Sequence, residues 1–147
     1  MGLLEAITGP AVYLDTNIWI YAVEKPAEYY DHLVPLFKAL QREDLRAVTS
    51  ELTLAETLVK PLMDGNVAVQ DAYLQAIRPS SGLDVMPVSR EVLVEAARLR
   101  ASTRMKLPDA IHSATARLRR CSCLLTNDDK VVVPGVPVVV LSKVIRT

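Results

Sequence analysis

Four acidic side chains, Asp15, Glu56, Asp109 and Asp128, stand just beyond strand-like runs or on expected helices. Asp15 directly follows the apolar run at 11–14, and Asp128 lies just beyond the run at 123–125. Asp109 falls in the first turn of one expected helix, and Glu56 lies within another. If the sheet is parallel, Asp15 and Asp128 leave it at the same edge, and the following helices can bring the other two there. Carboxylates converging within several Å repel, so protonation or a bound cation must relieve the charge. Hard oxygen ligands in this number suit Mg2+ or Mn2+. Each acid also has a local reading: Asp15 as an N-cap, Asp109 as a charge at a helix N-terminus, Asp128 as part of a polar turn, and Glu56 as the i+4 partner of Lys60. Taken one at a time the local readings are simpler; taken together the four positions favour a shared site.

Other chemistries find less support. No Gly-rich phosphate loop and no Ser-His-Asp set is apparent. With only His32 and His112, a histidine-rich zinc site is not expected. His112 follows Asp109 by three residues on the same helical face, which leaves two readings: an acid/base group, or a packed or partner-facing histidine. The second is the simpler, because activation of water by a metal needs no side-chain base.

The elements that must position these acids follow from the apolar pattern. Strands are expected at 11–14, 47–49, 84–88, 123–125 and 136–141, with Pro87 confining the third to an edge or a strand end. Helices are expected at 17–23, at 28–41 with Pro35 inside, from Ser50 to near Pro61, and at 67–77. Two more follow: one capped by Ser89 and running to about Arg104, and one opened by Pro108 and running to Arg119. Strands alternating with helices imply right-handed crossovers and a mainly parallel sheet.

The 147 residues suit one domain, expected to span 1–147, and 50% hydrophobic with 23% charged residues excludes disorder and a disulfide scaffold. Cys121 and Cys123 are too close for an ordinary structural disulfide and read as reduced core thiols. The longest apolar stretch, 131–141, is interrupted by Pro134, Gly135 and Pro137 and cannot span a bilayer as a helix. With no basic leader at the start, a cytoplasmic protein without a membrane partner is expected. Net charge is zero, which argues against a surface that binds polyanions everywhere, yet residues 90–120 carry eight basic and three acidic side chains. Arg104, Lys106 and Arg117 within that segment are candidate contacts for nucleic-acid phosphates, and solvated helix faces explain them equally well.

The ordered set LDTN at 14–17, SELTLAE at 50–56, LPDAIHSATA at 107–116 and LLTND at 124–128 resembles the PIN-domain ribonucleases, with the small VapC-type toxins as the most similar subgroup. The resemblance covers about residues 11–141. It implies a three-layer α/β/α sandwich around a five-stranded parallel sheet, with Asp15, Glu56, Asp109 and Asp128 as the metal-binding quartet and Thr16, Asn17 and Thr126 as supporting polar positions. It also selects Glu56 over Glu51, which stands about 140° away around an ideal helix, and Asp128 over Asp129. Two departures stand out: about ten residues precede the first strand, and Lys130-Val131 replaces the aromatic-containing turn often found after the last acid. The implied activity is Mg2+- or Mn2+-dependent endoribonuclease cleavage leaving 5′-phosphate and 3′-hydroxyl ends. A cognate antitoxin and homodimerisation are implied partners. The alternatives are a PIN-like protein- or RNA-binding module with little catalytic activity and, more weakly, a phosphotransferase using Asp15, for which the common D-x-D pair is broken by Asn17.

Overall fold

Short Val-, Leu- and Ala-rich runs become strands here because helices cover both faces of the sheet, so most side chains of the central strands are buried. The computed structural model describes residues 2–146; Met1 and Thr147, the ends of the expected domain, lie outside the described residues. Strands β1 (Ala11–Leu14), β2 (Arg46–Ser50), β3 (Leu83–Met86), β4 (Cys123–Thr126) and β5 (Val138–Val140) pair in parallel throughout, in the order β3-β2-β1-β4-β5. The chain builds outward from β1 to β3 and then crosses back to lay β4 on the other side of β1. The strand order therefore reverses between β1 and β4, and the crevice at their carboxyl ends is where open parallel sheets bind ligands. Asp15 N–H extends the ladder across this seam to Leu125 O at 3.0 Å.

Period-two alternation sorts the strand side chains into two layers. Val12, Leu14, Ala47, Cys123 and Leu125 join Ile18, Leu33, Leu36 and Tyr73 on one face, under α2 (Thr16–Glu24), α3 (Tyr30–Gln41) and α5 (Val67–Ala76). Tyr13, Val48 and Leu124 face the other way, against Ala116 of α7 (Leu107–Leu118) and the loop residues Val131 and Val133. A third cluster joins α6 (Arg90–Thr103) to α7 through Val92, Ala96, Leu99, Ala110 and Ala114. The result is a three-layer α/β/α sandwich. Cys121 and Cys123 are free and buried, each packed in a different core cluster. Among the described residues no helix is long and apolar enough to cross a membrane.

Several boundaries differ from those the sequence suggests. Helix α4 (Glu51–Asp64) runs through Pro61 and stops at Gly65, whose left-handed φ of 67° closes it. The glycine without a Cβ penalty, and not the proline, is the effective stop. Pro35 likewise lies inside a continuous α3. Strand β3 begins at Leu83 and ends at Met86, before Pro87, and it is an edge strand. Strand β5 is shorter than 136–141, because Val136 N–H turns back to Val133 O and Leu141 already opens α8 (Leu141–Ile145). That helix and α1 (Leu3–Ala6) are too short for a periodic signal; each places one fully or nearly fully buried leucine, Leu141 and Leu3, in the main core.

At the amino end of the sheet, away from the crevice, Asp84 of β3 accepts from Arg46 Nε at 2.8 Å and from Arg119 Nη2 at 3.3 Å. This ties β2, β3 and the end of α7 together. The Arg46 hydrogen bond is the largest influence on Asp84; partial burial opposes it, and the Arg46 charge and Arg119 add to it, so the carboxyl is held below its ordinary value. A depressed folded pKa contributes stability that is complete above the unfolded value of about 4 and is lost as pH falls through the folded value. Urea midpoints followed downward from pH 5 should therefore fall more steeply in the wild type than in Asp84→Asn; parallel curves would show that this network adds nothing.

Candidate active site

Each of the four acids reaches the crevice by a different local device. Asp15 ends β1 and caps α2, with Oδ1 accepting from Thr16 N–H at 2.9 Å. Asp128 follows β4 in a tight turn, its Oδ1 accepting from Lys130 N–H at 2.9 Å. Asp109 stands in the first turn of α7 behind Pro108, and Glu56 projects from the middle of α4. All four line one pocket of about 210 Å3, together with Thr16, Asn17, Ile20 and His112. A larger apolar pocket lies elsewhere, beside Trp19, Phe37 and Leu83, and contains none of these acids.

The supporting hydroxyls and amides form a connected set. Thr126, fully buried, donates to Asp15 Oδ2 at 2.7 Å, while its oxygen accepts from Asp128 N–H at 3.0 Å and from Asn17 Nδ2 at 3.3 Å. Asn17 Oδ1 in turn accepts from Asn127 N–H at 3.1 Å. One threonine thus locks the ends of β1 and β4 to each other and fixes the Asp15 carboxylate. On the opposite wall Thr16 donates to Glu56 Oε1 at 2.8 Å.

The electrostatics record the crowding. Burial is the largest cause raising the Asp109 carboxyl; the charges of Asp15, Asp128 and Glu56 add to it, and His112 opposes them. Burial also pushes Glu56 upward, but the hydrogen bond from His112, its charge when protonated, and the Thr16 hydroxyl together hold that carboxyl below its usual value. As they stand, no three His, Cys, Asp or Glu side chains among the described residues are gathered tightly enough to enclose an ion. The arrangement is a set of hard oxygen donors around a common space, with the repulsion that a divalent cation relieves.

The remaining sequence candidates separate. Glu51 is exposed at the start of α4, and Asp129 is exposed beyond Asp128. Lys60 pairs onward with Asp64 at 3.7 Å instead of with Glu56. Arg104 and Lys106 occupy the α6–α7 connection, five and three residues before Asp109, exposed and without an ion pair among the described residues. Arg117 stands eight residues along α7, about 12 Å from Asp109 by helical rise, and pairs with Glu95 at 3.1 Å. His112 is buried, in contact with Glu56 and Tyr13. The Tyr13 contact left no mark in the sequence, where Tyr13 is one more apolar residue of a buried strand.

A parallel α/β sandwich with an acid-lined crevice at its switch point defines a carboxylate-centred domain. The sequence pattern described as PIN domain matches residues 12–133, and the chain belongs to that family. Among curated proteins no relative matches. Solved structures similar to it include a toxin-antitoxin complex from Klebsiella pneumoniae, with 27% identity, a TM-score of 0.63, and coverage of 87% of this chain and 95% of that one. VapBC2 from Rickettsia felis, bound to a DNA fragment from its promoter, has 20% identity, a TM-score of 0.66, and coverage of 88% and 97%. VapC20 from Mycobacterium tuberculosis, a sarcin-ricin loop cleaving toxin, has 20% identity, a TM-score of 0.57, and coverage of 77% and 86%.

Because Thr126 serves three partners from a fully buried position, Thr126→Val, which is close to isosteric, should cost about 1–3 kcal/mol in denaturant unfolding, the penalty for leaving such groups unpaired. Unchanged stability would mean that water replaces the hydroxyl without loss.

Proposed function

We propose that this protein is a metal-dependent endoribonuclease and the toxin of a toxin–antitoxin pair. The observation that carries the reading is the convergence of Asp15, Glu56, Asp109 and Asp128 on one crevice, where burial first, and then the charges of the other three acids, raise the Asp109 carboxyl. Four carboxylates that repel one another have the donor chemistry for Mg2+ or Mn2+. Such a cation, when bound, supplies positive charge to a phosphodiester and acidifies water at neutral pH.

The chain's own residues do the rest. Thr126 and Thr16 hold the Asp15 and Glu56 carboxylates, and Asn17 ties the two strand ends that carry Asp15 and Asp128. An acidic crevice repels a polyanion, so substrate capture falls to cations near it in the chain, and Arg104 and Lys106, five and three residues before Asp109 and without an ion pair among the described residues, are the candidates. Arg117, engaged with Glu95 at the far end of α7, contributes less. Membership of the PIN family and the likeness to toxin–antitoxin structures support RNA as substrate and a small antitoxin as partner; a homodimer is part of this reading on the family resemblance alone.

Asp15→Asn removes a charged donor while keeping its shape, so RNA cleavage should nearly vanish in Mg2+ or Mn2+ with the fold intact; full activity in a clean preparation would remove Asp15 from the site. Mn2+ at 100 times its dissociation constant should stabilise the wild type by about 2.7 kcal/mol and Asp109→Asn much less. Equal thermal shifts in the two proteins would place the ion elsewhere.

Neutralising Arg104 and Lys106 should weaken RNA binding and reduce the slope of log affinity against log salt by about 0.7 for each lost phosphate contact. Turnover at saturating RNA should change far less. A wild-type slope in that double variant would send the phosphate track to another surface.

A further inference from the structure

Beneath the crevice lies a polar pair that the metal-site reading leaves unused. Tyr13 sits fully buried at the middle of the sheet, packed in a cluster with Val48, Leu124 and Ala116, with the Thr49 hydroxyl also within its reach. Its hydroxyl lies 2.7 Å from His112 Nδ1. Across the ring, Nε2 lies 2.6 Å from Glu56 Oε1, 3.1 Å from Thr16 Oγ1 and 3.9 Å from Asp15 Oδ1. The side chain of His112 is 3% exposed and that of Glu56 is 32% exposed, so the contacts run from the core outward to one carboxylate of the crevice.

The donors and acceptors can be assigned from their chemistry. An ionised carboxylate only accepts, so Nε2 carries the proton it shares with Glu56. A phenol hydroxyl both donates and accepts, so Tyr13 holds Nδ1 whether the ring is neutral or protonated. Glu56 Oε1 therefore receives two donors, His112 Nε2–H and Thr16 Oγ1–H, while Oε2 has no hydrogen-bond partner among the described residues. A glutamate reaching from mid-helix has several rotatable bonds, and two donors on one oxygen select one carboxylate orientation. A Phe at position 13 would fill the same apolar volume without a buried hydroxyl to satisfy; packing alone does not call for tyrosine.

We propose that His112, clamped by the buried Tyr13 hydroxyl, is the positioning residue of Glu56, and that this pair sets the affinity of the crevice for its divalent cation. The inference rests on the metal-dependent reading above and adds the partners that orient one of its ligands. Loss of such an outer partner typically costs 10- to 100-fold in metal affinity or activity. Thr16 gives Glu56 a second donor, which places the expected effect toward the lower end of that range.

The test uses Mn2+ alone, titrated calorimetrically into metal-free protein, beside RNA cleavage at fixed and at saturating Mn2+. Tyr13→Phe and His112→Leu should each weaken Mn2+ binding about tenfold and lower kcat at fixed metal, with KM for RNA unchanged. Saturating Mn2+ should restore turnover in Tyr13→Phe. His112→Gln, which keeps an N–H able to reach toward Glu56, should retain Mn2+ affinity within about threefold of wild type. Wild-type Mn2+ affinity in both Tyr13→Phe and His112→Leu, with only a lowered melting temperature, would make the pair core packing and overturn the proposal. So would a His112→Gln that falls as far as His112→Leu. A wild type that binds Mn2+ and leaves RNA intact overturns the nuclease reading alone, since calorimetry on the same variants still judges the positioning role.

Discussion

Like charges brought to one crevice are the constraint that the rest of the structure answers. Asp15, Glu56, Asp109 and Asp128 come from four separate stretches of chain, and the fold holds them around a shared space although burial and the charges of the other three raise the cost of ionising Asp109. Such an arrangement persists only if the scaffold overdetermines it. Here the scaffold is the parallel pairing of β1 with β4, whose ends deliver two of the acids side by side, and the Thr126 hydroxyl, which ties those ends together while donating to Asp15.

The balance of the two walls differs. On the β1/β4 side, backbone N–H groups and Thr126 hold the carboxylates, so fixing them is a by-product of chain geometry: an N-cap at Asp15 and a tight turn at Asp128. On the α4 side, Glu56 is the mid-helix acid, and its restraint comes from side chains alone, Thr16 and His112. The second wall therefore depends on packing well beneath it, down to a tyrosine in the central strand. Positive charge is handled by segregation. Arg46, Arg117 and Arg119 are consumed in ion pairs with Asp84 and Glu95, while Arg104, Lys106 and Lys130, close in the chain to Asp109 and Asp128, have no ion pair among the described residues.

Much of this was legible in the sequence because it is carried by local signals. Mostly apolar runs of three to six residues located the strands, and Ser89 and Pro108 marked helix starts that the structure places within a residue. The order of strands and helices gave a parallel α/β sandwich, and the positions of the four acids at strand ends and helix turns followed from the same pattern. Proline misled at Pro61, where the helix continues to Gly65, whereas Pro35 sits inside α3 as expected, and helices of four or five residues carried too little periodicity to be read.

What the sequence determined by itself was which residue types stand at which strand and helix ends, since those depend on neighbours a few positions away. Which of them touch was decided only by the tertiary structure. Tyr13 and His112 are separated by 99 positions, and Asp15 and Thr126 by 111, so their hydrogen bonds exist only once β1, β4 and α7 are stacked in register. The same holds for the basic segment: eight positive side chains between 90 and 120 read as one patch, but a helix carries Arg117 about 12 Å from Asp109 while the preceding connection holds Lys106 three residues before it. Distance along a chain sets local conformation; the rise of a helix and the pairing of strands set which charges meet.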